Sequence, residues 1–194
     1  MKSVDILCDI DMVITPTYPE WVKSLQAQHE HTLASYVSEF LQYGSMPYGA
    51  WEDVILWYEN NKHALRTNYP LLDGIKPALE DMSSYSIQAI TSRSVGASGR
   101  CDVTTKYLLD HELDIQPVIF TAGSSPHMKK GDVASQLSAQ VLIEDSASQA
   151  IYAAKKGVSV LLRRTNYNRD IRDDNVTYWS HWSQVPSLVD EVLR

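Results

Sequence analysis

The segment 141-VLIEDSASQAIYAAKKGVSVLL-162 decides the fold, because its pattern is typical of a strand, a helix and a second strand in succession. Its two apolar ends, 141–144 and 158–162, are short and rich in Val, Ile and Leu. Gly157 follows two lysines, where a helix is expected to end in a left-handed cap. Two strands joined by a helix lie parallel, in a sheet that helices cover on both faces. The segment therefore predicts an α/β fold with a Rossmann-like parallel sheet.

The same alternation of short apolar runs and helical stretches extends over most of the chain. Further strands are predicted at 4-VDILCDI-10, 87-IQAI-90, 117-PVIFT-121 and 176-VTYWSHW-182. Helices are predicted at 73–85, 98–113, 130–137, 146–157 and 184–194. A long interval separates the first two strands. Because a direct crossover needs only about a dozen residues, this interval must hold an insert.

The insert is predicted to be helical and rich in aromatic side chains. Residues 20–44 and 50–61 have the pattern of helices. We therefore expect a core domain of 1–15 and 70–194 and a helical cap of 16–69. Trp51 and Tyr58 follow helical spacing and are expected to pack inward. Three aromatic residues near predicted loop–helix junctions are candidates for ligand contact: Tyr18, Trp21 and Tyr48.

Composition and charge exclude several classes of protein. The 194 residues are 44% hydrophobic and 21% charged, which is ordinary for a globular domain and unlike a collagen, a coiled coil or a disordered chain. The net charge of −7 disfavours extended nucleic acid or an acidic membrane as the main partner. No stretch approaches the roughly 18 consecutive apolar residues of a membrane span, so a soluble cytoplasmic protein is expected. The sequence leaves a homodimer open.

Residues that carry chemistry stand at the predicted carboxyl ends of the strands, where open parallel sheets bind ligands. Asp9 and Asp11 end the first strand, and Glu144 and Asp145 end the fourth. The other candidates at this edge are Thr91, Ser92 and Arg93 after the second strand and Lys130 at the start of a helix. Four carboxylates in one crevice repel one another, so a cation is required. Mg²⁺ fits oxygen ligands and a phosphorylated substrate.

This set of side chains is sufficient for phosphoryl transfer. A carboxylate held beside Mg²⁺ can attack phosphorus and form an aspartyl-phosphate. A second carboxylate two residues further on can protonate the leaving oxygen and then activate water. A hydroxyl, exposed main-chain amides and a lysine suit the remaining phosphate oxygens. The residues thus predict a small phosphorylated metabolite as the substrate.

The constellation resembles the haloacid dehalogenase (HAD) superfamily of phosphohydrolases. The Asp-x-Asp in 8-CDIDMVIT-15 is similar to the first motif of that family, and the strand-end Thr in 89-AITSRS-94 to the second. The Lys that opens a helix in 129-KKGDVASQL-137 is similar to the third motif, and the acidic pair in 142-LIEDSASQAIYAAKKG-157 to the fourth. The resemblance covers the whole chain and implies a role for each matching residue.

By this resemblance Asp9 is the nucleophile and a Mg²⁺ ligand, while Asp11 is the general acid and base, with its main-chain carbonyl on the metal. Asp145 is a direct metal ligand, and Glu144 holds metal-bound water or is itself a ligand. Binding of phosphate and substrate falls to Thr91, Ser92, Arg93 and Lys130, of which Lys130 is also catalytic.

Two positions complicate the match. Lys129 competes with Lys130 for the third motif, and Lys130 is favoured because Leu137, seven positions later, closes an apolar helix face. The family commonly has Gly after the second Asp, where this chain has Met12. Gly permits an unusual backbone conformation beside the site, so Met12 puts the loop geometry in question without removing a catalytic group.

The position of the insert implies a helical cap over the crevice, and an aromatic-rich cap is most similar to that of the 5'(3')-deoxyribonucleotidases. The expected function is a Mg²⁺-dependent phosphomonoester hydrolase that acts through an aspartyl-phosphate on nucleoside (deoxy)monophosphates. One alternative is a phosphatase or phosphomutase for a sugar phosphate or another small phosphorylated metabolite. A further alternative is an inactive binding protein with the HAD fold. The basic run 163-RRTNYNRDIR-172 is expected to be a solvated loop, since acids offset its charge.

Overall fold

The computed structural model describes residues 4–94, 103–122 and 128–194, so the first part of the predicted helix 98–113 lies outside the described residues. The strands are β1 Ile6–Cys8, β2 Ile87–Ser94, β3 Ile119–Ala122, β4 Val141–Glu144, β5 Ser159–Arg163 and β6 Val176–Trp179. The helices are α1 Thr17–Ala27, α2 His31–Tyr43, α3 Ala50–Asn68, α4 Ile75–Asp81, α5 Val103–Asp110, α6 Lys130–Leu137, α7 Ala147–Ala154 and α8 Val185–Leu193. A short 3₁₀ turn, Trp182–Gln184, precedes α8.

The predicted parallel sheet is confirmed. Its strand order is β3-β2-β1-β4-β5-β6, and every neighbouring pair is parallel. The central strands are buried on both faces: Ile6 and Ile143 pack in one apolar layer, and Leu7 and Leu142 in the other. This burial explains why the strands read as continuous apolar runs.

The direction of strand addition reverses between β1 and β4. From β1 the chain adds β2 and then β3 on one side, whereas β4, β5 and β6 follow on the other. Such a switch point leaves a crevice outside the carboxyl ends of the two central strands. The residues after β1 and at the end of β4 therefore meet at this crevice.

Two glycines set the helices beside the crevice. Gly131, in the first turn of α6, lies so close to α7 that a Cβ there would stand 2.8 Å from the Ala153 Cα. This contact packs the start of α6, with Lys130, closely against α7. Gly157 has a φ of +80°, which confirms the predicted left-handed cap after α7.

The insert between β1 and β2 contains three helices. The expectation of one helix over 20–44 is wrong, since α1 ends at Ala27 and α2 begins at His31. The chain turns at His29, which has a φ of +62°. The polar residues at this turn have no apolar group to bury, whereas packing α1 on α2 buries Leu25 and Val37. The division into a core domain and a cap at 16–69 stays a prediction.

The third helix of the insert is longer than predicted. It continues past 61 to Asn68 and buries Leu65 and Arg66 in its last turns. Among the described residues, no helix has the length and apolar character needed to cross a membrane.

Candidate active site

Three carboxylates converge at the switch point between β1 and β4. Asp9 follows β1, Glu144 ends β4, and Asp145 comes directly after it. All three residues are buried, and one carboxylate oxygen of each lies within 4.8 Å of the others. The parallel pairing of β1 with β4, which puts Cys8 opposite Ile143, explains why residues far apart in sequence meet here.

Lys130 lies among these carboxylates. Its Nζ is 2.6 Å from Asp9 Oδ1 and 2.8 Å from Glu144 Oε2, and its side chain is 4% exposed. The other oxygen of Glu144 accepts hydrogen bonds from the main-chain N–H groups of Asp145 and Ser146. Lys129 takes a different position, exposed and over the ring of Tyr152. Of the two candidate lysines, therefore, Lys130 is the one that reaches the carboxylates.

The cluster carries more negative than positive charge. Burial, followed by the neighbouring Glu144, raises the pKa of Asp9 well above its usual value. The same two causes raise the pKa of Asp145 to about 8. Burial alone would lower the pKa of Lys130, but the Asp9 and Glu144 carboxylates raise it. Three buried carboxylates facing one ammonium group are a donor set of oxygens that suits a hard divalent cation.

The side chain of Asp11 is directed away from this cluster. Both of its oxygens accept hydrogen bonds from Arg93, at 2.9 Å from Nε and 2.5 Å from Nη2, and Oδ1 also accepts one from the Thr17 hydroxyl at 2.6 Å. Partial burial would raise the pKa of Asp11, but the Arg93 guanidinium lowers it. Asp11 thus has a cation partner of its own, Arg93, although it lines the same cavity as the three clustered carboxylates.

The two hydroxyls at the end of β2 differ in position. Thr91 is fully buried, and its Oγ1 accepts a hydrogen bond from the main-chain N–H of Arg93 at 3.2 Å. Ser92 is exposed and lines the cavity beside the carboxylates. Of the two predicted phosphate-binding hydroxyls, Ser92 is therefore the one that borders the cavity.

Tyr167 is part of the site although the sequence analysis assigned it to a solvated loop. Its hydroxyl donates a hydrogen bond to Asp145 Oδ2 at 2.5 Å, and its ring stacks on Phe40 of α2 with centroids 4.8 Å apart. Asn168 is also buried and donates to the Asp145 carbonyl. The interpretation of 163–172 as a solvated loop is wrong for these two residues. The charge pattern of this run, in which acids offset the basic residues, did not indicate that Tyr167 and Asn168 contact the site.

Two neighbouring cavities meet at Asp11. The first, of about 450 Å³, is lined by the carboxylates, Lys130, Tyr18, Phe40 and Tyr167; we call it the carboxylate cavity. The second, of about 390 Å³, is the aromatic cavity. It is lined by Asp11, Thr17, Tyr18, Trp21, Trp51, Ile55, Tyr58, Glu59, Arg66, Ser92 and Arg93. Since Asp11, Tyr18 and Ser92 belong to both linings, one ligand can extend across the two.

The aromatic candidates are distributed differently from the sequence expectation. Tyr18 and Trp21 line the aromatic cavity, as does the buried Tyr58. Tyr48 is fully exposed and lines neither cavity. Trp51 was expected to pack inward, yet it is 37% exposed and lines the aromatic cavity. Helical spacing alone does not separate a side chain that faces the protein core from one that faces a cavity.

Met12 has the backbone conformation for which glycine is the usual choice. Its φ is +58°, in the left-handed region that costs a residue with a side chain roughly 1–2 kcal/mol. The side chain is buried, its sulfur accepts a hydrogen bond from the Tyr18 N–H, and the Met12 carbonyl accepts one from Arg163. These contacts hold the loop in place.

The fold is shared with known hydrolases. A haloacid dehalogenase-like protein of unknown function from Agrobacterium tumefaciens superposes with a TM-score of 0.65 over 100% of both chains, at 15% sequence identity. A HAD family hydrolase from Deinococcus radiodurans, solved with bound phosphate and sodium, superposes with a TM-score of 0.61, at 14% identity over 97% of this chain and 95% of that one. The protein has the HAD hydrolase fold.

Comparison of sequences finds a relative with a more specific activity. A nucleotidase from Clostridium acetobutylicum is 25% identical over 201 aligned positions, which cover 100% of this chain and 97% of that protein. No protein-family model matches the chain. The HAD fold predicted from the sequence motifs is confirmed, whereas the assignment to a subgroup of that superfamily rests on a distant relative.

Proposed function

We propose that this protein is a Mg²⁺-dependent phosphomonoester hydrolase that acts through an aspartyl-phosphate on Asp9. The observation that carries the proposal is the buried cluster of Asp9, Glu144 and Asp145 around the Lys130 ammonium group at the switch point of a HAD fold. Buried carboxylates without enough counter-charge are costly to a fold and are typical of functional sites.

In the first step, Asp9 attacks the phosphorus of the ester, and the bond from phosphorus to the leaving oxygen breaks. Asp11 donates a proton to that oxygen. In the second step, Asp11 takes a proton from water, which attacks the phosphorus of the aspartyl-phosphate and releases phosphate and free Asp9. Because Arg93 favours the ionised form of Asp11, its contact with Asp11 must loosen before the first step and form again for the second.

The remaining groups bind and orient the transferred phosphate. Lys130 neutralises phosphate oxygens from the floor of the carboxylate cavity, and the Ser92 hydroxyl lies at its border. Asp9, Asp145 and the Asp11 carbonyl would hold Mg²⁺, with Glu144 as a further ligand or as a hydrogen-bond acceptor for its water. Bound there, Mg²⁺ would lower the charge of the phosphate and of the carboxylates, which favours nucleophilic attack.

We propose nucleoside (deoxy)monophosphates as the substrate class. The aromatic cavity adjoins Asp11, which must reach the leaving oxygen, so the leaving group extends into it. Trp51 offers a partly exposed ring there, and stacking of a base on an aromatic ring contributes about 1–3 kcal/mol. The nucleotidase relative supports this assignment. In this proposal the helices at 16–69 act as a cap that excludes water from the two cavities.

A screen of phosphate release tests the proposal. Deoxynucleoside and ribonucleoside monophosphates are compared with sugar phosphates, each with Mg²⁺ and with excess EDTA. We expect nucleoside monophosphates to be hydrolysed fastest and EDTA to abolish the activity. Faster release from sugar phosphates would favour the alternative of a sugar phosphatase or phosphomutase. No release from any compound would leave a binding protein with the HAD fold.

A further inference from the structure

Arg66 is a buried cation on the wall of the aromatic cavity. It lies in the last turn of α3 and is 5% exposed. Its Nε donates a hydrogen bond to the Tyr58 hydroxyl at 2.8 Å, and its Cζ lies 5.6 Å from the centre of that ring. Over residues 4–94, 103–122 and 128–194, it forms no ion pair with a carboxylate, and its two terminal nitrogens form no hydrogen bond.

Arg93, the other arginine of this cavity, is in the opposite situation. It is equally buried, but it binds Asp11 through two nitrogens, and its third nitrogen donates to Thr104. The second acid of the cavity, Glu59, is exposed and pairs with Lys62 instead. Both carboxylates of the aromatic cavity are therefore paired with other cations, and Arg66 pairs with neither of them.

A buried guanidinium without a counter-charge is costly, because removing a charge from water costs several kcal/mol unless a partner restores the lost interactions. Arginine binds carboxylate and phosphate through two parallel hydrogen bonds, which matches the two terminal nitrogens left without a partner. A neutral carbonyl group would accept a hydrogen bond from the guanidinium but would not balance its charge. The cavity is therefore complementary to an oxyanion.

We infer that Arg66 binds a second anionic group of the substrate, a carboxylate or a further phosphate carried by the leaving group. The inference rests on the proposed function for the position of the reacting phosphate in the carboxylate cavity. From there a substrate passes Asp11 and enters the aromatic cavity, whose volume of about 390 Å³ admits a group of the size of a sugar or a base. Among nucleotides this favours a nucleoside bisphosphate over the simple monophosphate, and among other phosphomonoesters it favours one with a carboxylate on the leaving group.

Binding to the Asp9→Asn variant tests this inference without turnover. Two matched pairs are titrated by calorimetry with Mg²⁺ present. Thymidine 5'-monophosphate is compared with thymidine 3',5'-bisphosphate, and glycerol 3-phosphate with 3-phosphoglycerate. In at least one pair we expect the compound with the second anion to bind ten or more times more tightly. The pair that shows the gain identifies the anion as phosphate or carboxylate.

Substitutions of Arg66 in the Asp9→Asn variant test whether Arg66 causes the gain in affinity from the second anion. Arg66→Met keeps much of the length and apolar surface, and it should reduce the gain to less than threefold. Arg66→Lys keeps the charge and should retain part of the gain. Lys155→Met removes an exposed cation that lines neither cavity and should leave the gain unchanged. This control separates local binding from the net charge of the protein.

The inference is overturned if neither pair shows a gain, if neither compound with a second anion binds, or if the gain survives Arg66→Met. Failure of the proposed function has a different signature. In that case the wild-type protein hydrolyses none of the four compounds with Mg²⁺, while the difference in binding and its dependence on Arg66 remain.

Discussion

The carboxylate cavity and the aromatic cavity share a wall but have opposite charge imbalances. In the first, the three clustered carboxylates of Asp9, Glu144 and Asp145 are accompanied by one ammonium group, that of Lys130, which contacts Asp9 and Glu144. In the second, Arg66 has no carboxylate partner among the described residues, because Asp11 forms its ion pair with Arg93. A cation in the carboxylate cavity and an anionic group in the aromatic cavity would balance the two charge imbalances. The contrast teaches that two adjoining cavities can differ in the sign of their unpaired charge, which in the proposed function would orient the phosphate ester.

The two cavities also differ in how they are built. The carboxylates project from the ends of β1 and β4, whose positions follow from the central place of these strands in the sheet. The walls of the aromatic cavity come largely from α1 and α3 of the insert, which pack through aromatic contacts such as Trp21 on Tyr58, with centroids 4.5 Å apart. The first cavity is thus set by strand register and the second by helix packing.

The largest expected effect is that of Asp9→Asn, which removes the nucleophile and almost no volume. We expect the rate of phosphate release to fall by at least about a thousandfold. Without Mg²⁺ the variant should be no less stable than the wild type, because it loses a carboxylate whose pKa is raised by burial and by the neighbouring Glu144. Kinetics and urea denaturation measure the two quantities. Asp110→Asn, at an exposed acid far from both cavities, should change neither. If Asp9→Asn keeps more than a thousandth of the rate, another group is the nucleophile.

The next effect concerns the ion pair on the wall that the cavities share. Arg93→Met leaves the Asp11 carboxylate without its bidentate partner, and we expect the free energy of unfolding to fall by about 3 kcal/mol. Arg93→Lys should recover part of this loss, because it restores the charge but not the two parallel hydrogen bonds. Urea denaturation of the three proteins is the measurement. A loss below about 0.5 kcal/mol in Arg93→Met would show that the pair does not stabilise the wall.

Mg²⁺ should act on the carboxylate cavity alone. At a free concentration of a hundred times its dissociation constant, Mg²⁺ is expected to stabilise the wild-type protein by about 2.7 kcal/mol. Asp145→Asn should lose most of this stabilisation, whereas Arg66→Met should keep it. Urea denaturation of the wild type and of the two variants, each with Mg²⁺ and with EDTA, measures the stabilisation. Equal stabilisation of the wild type and Asp145→Asn would place the cation elsewhere.

The same contrast between strand ends and helix packing governs what the sequence could predict. The position of Asp9, Glu144, Asp145 and Lys130 follows from local apolar runs and from one rule about parallel sheets, so the sequence predicted their convergence. The fourth acid, Asp11, lines the same cavity but pairs with Arg93, which the rule does not predict. The break at His29 depends on packing between α1 and α2, which no local pattern encodes. Arg66 and Tyr167 gave no signal either, because their partners lie in other elements.

Met12 shows a further limit of reasoning from motifs. The question about the loop geometry at Met12 came from the backbone freedom of the glycine that the family commonly has there, and the left-handed φ of Met12 shows that the conformation is unusual. The compensation lies in tertiary contacts of Met12 with Tyr18 and Arg163, which a motif does not contain. A local rule can therefore predict the strain without predicting what offsets it.

The smallest expected effect tests whether the carboxylates of the carboxylate cavity and the insert helix that borders them act independently, and it depends on Tyr167. The hydroxyl of this residue contacts Asp145, and its ring contacts Phe40 of α2. Tyr167→Phe removes the first contact and keeps the second. It should weaken Mg²⁺ binding about tenfold, since hydrogen bonds to metal-binding carboxylates orient them. Phe40→Leu removes the ring stack and keeps the hydroxyl, so it should change the Michaelis constant for substrate more than the affinity for Mg²⁺. Calorimetric titration with Mg²⁺ and steady-state kinetics measure the two quantities. If both variants weaken Mg²⁺ binding to the same degree, α2 and the proposed metal site are coupled through Tyr167, and they do not act independently.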